Sequence, residues 1–325
     1  MTINETKNPK MNTEFAKDIL QGLSENPKSL PSKYFYDTKG DKLFQDIMHM
    51  DEYYLTNCEF EIFTNQKEAL TKSFTDGSNA PFELVEFGAG DGLKTKVLLR
   101  HMVASEVDFT YMPIDISANA LSKLTQSLKS EIQALHVKGI ENDYFKALHD
   151  LQNDGKKKVV LFLGSNIGNL TLAEAKGFLN HLSENLNKGD KLLIGMDLKK
   201  DPQVILDAYN DKAGITSSFN LNLLERINEE LDADFDVEAF QHFPNYDPIT
   251  GQTKSYLISK KEQVVKLKGI EEEIKFEAWE PIYMELSRKY DLKEIEALAH
   301  ESGFEISKHF FDKRNYFVDS LWEKQ

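Results

Sequence analysis

The chain has 325 residues and a net charge of −15, and 40% of its residues are apolar and 29% charged. These proportions are those of an ordinary globular protein with room for one large or two moderate domains. The acidic balance argues against a nucleic-acid partner, because a phosphate-binding surface needs an excess of basic residues. The single cysteine, Cys58, excludes an internal disulfide and a cysteine-based zinc site.

No apolar run in the sequence approaches membrane-spanning length, and the first residues lack the hydrophobic core of a signal peptide. We therefore expect a cytoplasmic protein that does not bind membranes and whose polar residues 1–12 are disordered. We also expect a monomer that acts on a small neutral or zwitterionic molecule.

From Phe82 onward, strand-like and helix-like segments alternate, which is the pattern of a parallel sheet with crossover helices. The run 159–164 is almost continuously apolar, as in a central strand buried on both faces. Ser117 is a plausible helix N-cap, and Thr171 with Glu174 forms a capping-box pattern. The predicted strands are 82–87, 109–116, 134–139, 159–164 and 191–197, and the predicted helices are 93–102, 117–130 and 171–186.

The alternation stops near residue 200. A helix is predicted around 219–231, followed by an antiparallel meander of the segments 253–259, 263–268, 274–276 and 282–287, with a turn at 247–251. After the meander come a helix at 292–300 and strands at 309–312 and 316–322. A helix followed by a hairpin at the end of such a sheet resembles class I methyltransferases, whose seventh strand runs antiparallel.

The predicted fold is therefore α/β, with a Rossmann-like class I methyltransferase sheet of seven strands, the last antiparallel, and an inserted α+β substrate-binding domain. We assign residues 60–199 and 288–325 to the cofactor-binding methyltransferase domain. Residues 13–59 and 200–287 are assigned to the substrate-binding domain or lid.

The first predicted strand ends in a glycine turn that is typical of nucleotide-cofactor sites. Glu86, Gly88 and Gly90 form an E-x-G-x-G pattern, in which the glycines let the backbone turn tightly and approach a ligand. A plain strand-to-helix turn also favours glycine, so the pattern alone is weak. The dinucleotide fingerprint needs a small residue three positions after the second glycine, where this chain has Leu93, and this disfavours an NAD-dependent oxidoreductase.

S-adenosylmethionine suits the remaining residues better. Asp115 ends the second predicted strand, where one carboxylate can accept hydrogen bonds from both ribose hydroxyls. A carboxylate near the start of the following helix is also common. Lys94 could neutralise the methionyl carboxylate, and Asp143 with Tyr144 offers a polar cap and a ring for adenine. Because these features occur in the correct order at the ends of three strands, they favour S-adenosylmethionine together.

Longer stretches of the sequence closely resemble the L-histidine Nα-methyltransferases of ergothioneine biosynthesis. The similarity covers nearly everything from about Leu30 to the C-terminus. The segments that carry it are GSNIGNL at 164–170, YFYD at 34–37, EYY at 52–54, Ala208-Tyr209, Phe219-Asn220, ELDADFDVEAFQH at 230–242 and MELS at 284–287.

The resemblance implies a role for each matching position. Those that fall on the family's cofactor positions are Tyr36, Gly88, Lys94, Asp115, Asp143 and Tyr144. Gly90 is assigned to the same cofactor site from the glycine turn. Asn169 and Tyr209 fall where the family holds the substrate's α-carboxylate, and Tyr53 falls where it meets the α-amine. Phe44 and Gly164 belong to the same pocket wall. Glu285 and Ser287 fall where the family binds the imidazole ring.

The residues themselves are consistent with these roles. Glu285 and Ser287 are two apart in a predicted strand, so their side chains point to one face. A carboxylate and a hydroxyl together can bond both nitrogens of an imidazole, which an indole or a phenol could not satisfy equally. Asn166 stands where bacterial members commonly have Thr, and Ser255 where some have Met; both differences make the pocket more polar.

The predicted reaction is S-adenosylmethionine-dependent Nα-methylation of L-histidine, with three transfers to hercynine and S-adenosylhomocysteine as the other product. Tyr53 would orient the amine and Tyr36 would face the growing ammonium through cation–π attraction. Water is the expected proton acceptor. The eight histidines show no metal-binding pattern, so no metal is expected. The alternatives are another amino acid such as tryptophan or tyrosine as substrate, or a cofactor-binding protein without turnover.

Overall fold

The structure, a computed structural model, describes residues 13–90, 92–115, 118–142, 146–147, 149 and 155–325. The described chain divides into two units. The first unit consists of the N-terminal segment up to Tyr54 and of Lys200–Ser287. The second unit consists of Leu55–Lys199 and Arg288–Gln325. The division after Tyr54 lies five residues before the domain boundary that the sequence analysis placed after Glu59.

The regular elements alternate along much of the described chain. The helices are α1 (Thr13–Ser24), α2 (Thr38–Met48), α3 (Tyr54–Thr75), α4 (Leu93–Ala104), α5 (Ala118–Glu131), α6 (Leu172–Glu184), α7 (Pro202–Asp207), α8 (Ile215–Leu231) and α9 (Leu292–Glu301). The strands are β1 (Lys28–Ser29), β2 (Phe82–Phe87), β3 (Phe109–Asp115), β4 (Ile140–Glu141), β5 (Lys157–Phe162), β6 (Lys191–Asp197), β7 (Phe240–Asp247), β8 (Gln252–Ser259), β9 (Gln263–Leu267), β10 (Glu272–Phe276), β11 (Pro281–Arg288), β12 (Phe304–Phe311) and β13 (Phe317–Lys324).

The second unit is built on a sheet of seven described strands in the order β12-β13-β6-β5-β2-β3-β4. Strands β2, β3, β4, β5 and β6 pair in parallel, whereas β13 pairs antiparallel with both β6 and β12. This is the sheet that the sequence analysis predicted, with the last strand reversed, and the prediction of a class I methyltransferase fold is confirmed.

The apolar sequence of the central strands explains their position in the sheet. Every residue of β2 is buried, as are five of the six in β5, so helices cover both faces of these strands. Phe87 of β2, Phe162 of β5 and Phe178 of α6 pack in one cluster, with the Phe162 and Phe178 ring centroids 4.8 Å apart. The carboxyl ends of β2, β3 and β5 consequently lie along one edge of the sheet.

Some local predictions hold in the second unit and one does not. Thr171 and Glu174 form the predicted capping box at the start of α6, in which each side chain bonds the other residue's backbone N–H. The third strand was wrong: the strand is Ile140–Glu141, and the predicted segment 134–139 contributes an isolated bridge between Val137 and Tyr111. Ser117 lies outside the described residues.

The first unit contains two separate sheets. One has the order β1-β11-β8-β7, and the other is the β9–β10 hairpin. Its core joins the buried face of α8, including Phe219 and Leu223, to residues of α1 and to Leu257 and Met284 of the four-stranded sheet. Helix α8 and the turn at 247–251 are where the sequence predicted them.

The predicted meander needs correction. Strands β8, β9, β10 and β11 match its four segments, but they do not form one sheet, because β9 and β10 pair only with each other among the described strands. The sequence analysis also missed β7, which pairs antiparallel with β8 along its whole length. Pro244 lies inside β7, and proline is tolerated there because β7 is an edge strand of the sheet.

Candidate active site

The Tyr36 ring forms a cluster with two other aromatic rings of the first unit. Tyr36 follows a 3-10 helix at Ser32–Phe35, and its ring meets Phe44 of α2 and Phe219 of α8 edge to face, with centroid distances of 5.5 and 5.7 Å. Phe219 is buried, whereas Tyr36 exposes 45% of its surface. The cluster therefore presents one accessible phenol ring on a packed aromatic base.

The surroundings of Tyr36 keep its phenol neutral. Desolvation raises its pKa above the usual range even though the ring is partly exposed, and the negative charge of Glu285 raises it further. At neutral pH, Tyr36 is therefore a protonated phenol with an electron-rich ring face. It can attract a cation or donate a hydrogen bond, but it cannot act as a base.

Tyr209 and Ser287 are hydrogen-bonded to each other. The Tyr209 hydroxyl donates to Ser287 Oγ at 2.8 Å, and both residues are buried. The Tyr53 ring lies 6.4 Å from the Tyr209 ring, measured between centroids, in an edge-to-face arrangement. The first unit thus brings together three residues that the sequence analysis assigned to the substrate's carboxylate, amine and ring.

His242, which the sequence analysis did not assign to the site, contacts the backbone of Tyr209. His242 Nε2 is 3.0 Å from the backbone carbonyl oxygen of Tyr209, and desolvation lowers the pKa of His242. A neutral imidazole in this position donates from Nε2 to that carbonyl. His242 ends the 230–242 stretch that carried the family resemblance, which was the available signal.

The other predicted substrate residues of the first unit occupy its four-stranded sheet. Glu285 and Ser287 lie on β11, and Ser255 is buried on β8. The Glu285 carboxylate is near enough to Tyr36 to raise its pKa by its charge, and Tyr209 is a further ionisable neighbour of Tyr36. Tyr36, Tyr209, Glu285 and Ser287 therefore share one neighbourhood.

In the second unit, the glycine turn after β2 has the predicted shape. Gly88 and Gly90 have φ angles of 64° and 56°, in the left-handed region that favours glycine. A Cβ added to Gly90 would meet no described atom within 4 Å, so the space beside it is open. The turn thus leaves backbone exposed at the edge of the sheet where a cofactor could lie, and the residues present fit the predicted cofactor.

Glu86 fixes this turn from beneath. Its buried carboxylate accepts hydrogen bonds from Tyr111 Oη at 2.5 Å and from Thr95 Oγ1 at 2.8 Å. These bonds tie the end of β2 to the first turn of α4 and to the neighbouring strand β3. Burial raises the pKa of Glu86 to about 7 despite both hydrogen bonds.

Glu86→Gln is expected to make the stability less dependent on pH. The pKa of folded Glu86 is raised to about 7 from its ordinary 4.5, so between these values the unfolded chain binds fewer protons than the folded one. Glu86 therefore lowers the free energy of unfolding as pH rises through this window, by about 3 kcal/mol at most. Urea unfolding at about pH 5 and about pH 7.5 measures the drop, and equal drops in variant and wild type would contradict the expectation.

The loop after β5 is held by contacts within the second unit. Gly164 and Ser165 have φ angles of 73° and 58°, and a 3-10 helix follows at Asn166–Asn169. Ser165 Oγ accepts the backbone N–H of Asp197 at 3.0 Å. A Cβ on Gly168 would lie 2.7 Å from the carbonyl oxygen of Arg288, so only glycine fits there. Asn166 is half-buried and Asn169 is exposed on this fixed loop.

Lys94 and Gly164 lie side by side. A Cβ added to Gly164 would be 3.7 Å from both Lys94 Nζ and Asn166 Nδ2. The Lys94 ammonium forms an ion pair with Glu59, whose side chain is 1% exposed and which also accepts the Gly164 backbone N–H at 2.8 Å. The sequence analysis missed Glu59. Its signal was a carboxylate within the apolar stripe of α3, between the buried residues Leu55 and Ile62.

The remaining cofactor residues are partly described. Asp115 ends β3 and is half-buried, and its carbonyl oxygen accepts the Asn142 N–H at 3.2 Å. This position at the end of the second strand of the sheet matches the predicted location of a ribose-binding carboxylate. Asp143 and Tyr144, the predicted adenine contacts, lie outside the described residues.

Two further observations concern metals and membranes. Among the described residues, no group of three or more His, Cys, Asp and Glu side chains is arranged to hold a metal ion. No described helix combines the length and apolar composition that crossing a membrane requires.

Comparison with known proteins identifies the family. Residues 15–324 match the family described as histidine-specific, SAM-dependent methyltransferases. The histidine N-alpha-methyltransferase of Mycolicibacterium smegmatis is 35% identical over 94% of this chain and 93% of its own length. That of Mycobacterium tuberculosis is 33% identical over 95% and 94%. The L-tryptophan methyltransferase trpM of Psilocybe serbica is 25% identical over 93% and 91%.

These matches confirm the predicted resemblance, and with it S-adenosylmethionine as the methyl donor and transferase as the class of enzyme. The match runs through both units, from α1 to the last residues of β13. The chain belongs to the histidine-specific, S-adenosylmethionine-dependent methyltransferase family.

Proposed function

We propose that this enzyme transfers methyl groups from S-adenosylmethionine to the α-amino nitrogen of L-histidine, three times in succession, to give hercynine for ergothioneine biosynthesis. The observation that carries the proposal is the neighbourhood of Tyr36, Tyr209, Glu285 and Ser287, which joins a carboxylate, two hydroxyls and an aromatic face. The first unit is accordingly proposed to carry most of the substrate contacts. A cytoplasmic location, a monomeric state and the exclusion of nucleic acid stay predictions.

The choice of histidine rests on Glu285 and Ser287. An imidazole has two ring nitrogens, one of which donates while the other accepts or, when protonated, also donates. The Glu285 carboxylate accepts from one nitrogen, and the Ser287 hydroxyl can bond the other. An indole offers a single N–H, so with tryptophan one of these polar side chains would lack a ring partner, which costs binding free energy in a buried site.

Asn169 and Tyr209 are proposed to bind the α-carboxylate. In the structure the Tyr209 hydroxyl bonds Ser287 Oγ. If Ser287 instead donates to Tyr209 when substrate is bound, the phenol proton turns to the carboxylate. Ser287 Oγ then accepts from the second N–H of a protonated imidazole, whose first N–H bonds Glu285. One hydrogen-bonded chain would then connect both ends of the substrate and couple recognition of the ring to that of the carboxylate.

The reaction itself needs positioning more than covalent help. The cofactor supplies an electrophilic methyl group, whose bond to sulfur breaks as its bond to nitrogen forms. The amine must be neutral, and Tyr53 is proposed to orient its lone pair in line with the methyl carbon, an arrangement worth several kcal/mol. Water takes the proton that each transfer releases, since Tyr36 stays protonated. The Tyr36 ring attracts the increasingly methylated ammonium.

The test is to incubate the protein with S-adenosylmethionine and each of the twenty amino acids, following released S-adenosylhomocysteine and counting added methyl groups by mass spectrometry. Histidine is expected to react and to gain three methyl groups at its α-nitrogen. Turnover with tryptophan or tyrosine but not histidine would contradict the proposed ring contacts. Cofactor binding without product from any amino acid would instead favour a non-catalytic protein.

A further inference from the structure

A buried group of ionisable side chains lies under the loop after β5. Glu59 accepts the Gly164 backbone N–H with both carboxylate oxygens, at 2.8 and 3.1 Å, and forms an ion pair with Lys94. Its neighbour Asp319 on β13 is completely buried. A Cβ on Gly195 would lie 2.3 Å from Glu59 Oε1 and 3.2 Å from Asp319 Oδ1, so only glycine leaves room for the two carboxyl groups.

The contacts of the two carboxyl groups decide which of them carries a proton. Neither oxygen of Asp319 accepts a hydrogen bond from any donor in the described part of the chain. Asp319 nevertheless lies beside Glu59, since oxygens of both carboxyl groups face Gly195, and two buried carboxyl groups this close avoid mutual repulsion only if one holds a proton. Glu59 already accepts from an ammonium and an amide. The proton therefore belongs to Asp319, and burial correspondingly raises its pKa well above the usual range.

We propose that Glu59 is a positioning residue for the cofactor: its carboxylate, held by protonated Asp319, fixes the Lys94 ammonium and the Gly164 amide where the cofactor's carboxylate binds. The sequence analysis assigns Lys94 to that carboxylate, so the role of Glu59 rests on this assignment and on the proposed methyl transfer from S-adenosylmethionine. The ionisable side chains that face Lys94 are Glu59 on α3, Asp319 on β13 and Glu86 on β2.

The physical reason for such a residue is the partial burial of Lys94, whose side chain is 23% exposed. Desolvation alone would lower the pKa of the Lys94 ammonium, but the charge and hydrogen bond of Glu59 more than compensate and raise it. Without Glu59, Lys94 would lose its proton at a lower pH and with it the attraction for a carboxylate. Glu59 thus keeps the Lys94 ammonium charged at neutral pH and above.

The experiment measures S-adenosylhomocysteine binding to the full chain by calorimetry between about pH 7 and about pH 9.5. Glu59→Gln keeps the size and an acceptor for the Gly164 N–H but removes the charge. We expect its affinity to fall about tenfold more than that of the wild type over this range, because Lys94 deprotonates within it. The matched control is Glu131→Gln. It removes a carboxylate that forms an ion pair with Lys96, which lies on the same helix as Lys94.

A second probe omits the carboxylate. 5′-Methylthioadenosine lacks the whole amino-carboxypropyl group of S-adenosylhomocysteine, including its carboxylate, so its binding is expected to show the same pH dependence in wild type, Glu59→Gln and Glu131→Gln. If Glu59→Gln also weakens methylthioadenosine binding in a pH-dependent way, or if its profile for S-adenosylhomocysteine coincides with that of the wild type, the role given to Glu59 is wrong.

Asp319→Asn tests the proton assignment even if Glu59→Gln fails to fold. An amide can donate to Glu59 as the protonated acid does, so the pH profile for S-adenosylhomocysteine is expected to match the wild type within about twofold. A shifted profile would mean that Asp319 is ionised and would overturn the assignment. These are binding measurements without an amino acid substrate. A wild type that binds the cofactor product but does not methylate histidine would therefore contradict the proposed function alone.

Discussion

Replacing Glu285 by alanine is expected to raise the KM for histidine about 30-fold, because the variant loses a charge-assisted hydrogen bond worth about 2 kcal/mol. The effect belongs mainly in KM, since the proposed Glu285 contact is at the imidazole ring, far from the reacting nitrogen. The KM of Glu285→Gln should fall between those of the wild type and Glu285→Ala, because an uncharged amide oxygen still accepts a hydrogen bond from a ring N–H. Steady-state kinetics with histidine varied at saturating S-adenosylmethionine measure both constants.

The matched control is Glu273→Ala, which removes an exposed glutamate from β10 in the same unit and is expected to leave both constants unchanged. A large loss of kcat in Glu285→Ala with an unchanged KM would place Glu285 at the reacting amine and contradict the assigned role. The KM for S-adenosylmethionine serves as an internal reference and should not change in any of these variants.

The sequence predicted the sheet of the second unit well because its central strands are apolar and separated by recognisable helices. β2 and β5 are buried along nearly their whole length, so their composition reveals them. β4 was misplaced because two residues, Ile140 and Glu141, pair only with β3 and carry no periodic signal. The sequence analysis gave no order for the strands, since alternation favours parallel pairing but does not tell which strands are neighbours.

The first unit was harder to predict because its strands are partly polar and alternate buried with exposed residues. β7 has the sequence FQHFPNYD, in which the proline argues against a strand unless the strand lies at an edge. A linear pattern also cannot tell which hairpin joins which sheet, and the predicted meander is split between two sheets for this reason. Pairing partners are set by packing against α8 and α1, which no local pattern records.

For the candidate site, the sequence predicted the residues but not the contacts between them. The resemblance assigned Tyr209 and Ser287 separate roles, yet their hydrogen bond joins residues 78 positions apart and appears only in three dimensions. Glu59 was missed because a single glutamate on a helix is usually exposed to solvent. Its function depends on Lys94 and Gly164, which the chain brings to it from 35 and 105 positions away. Sequence motifs thus find the residues that contact ligands more readily than those that hold them in place.

Lys289→Met is expected to lower the free energy of unfolding by about 3 to 5 kcal/mol, because it leaves a buried carboxylate without its counter-ion. Lys289 Nζ lies 2.9 Å from Asp197 Oδ2, and both side chains are completely buried. Asp197 also ends β6, where its backbone N–H donates to Ser165 of the loop that carries Asn166 and Asn169. The ion pair therefore stabilises the second unit close to that loop, and denaturant unfolding at neutral pH measures its contribution.

Two further variants separate the ion pair from side-chain packing. Lys199→Met removes a lysine that pairs with Asp291 and Glu294 nearer the surface, and it is expected to cost about 1 kcal/mol or less. Adding Asp197→Asn to Lys289→Met removes the uncompensated charge, so the double variant should recover at least half of the lost stability. Equal losses for the two lysine variants, or no recovery in the double variant, would show that burial of the carboxylate is not the cause. Recovery in the double variant would show that the free energy of unfolding depends on pairing the buried charge. In the low dielectric around β6, two opposite charges stabilise each other, whereas a single charge left there is strongly destabilising.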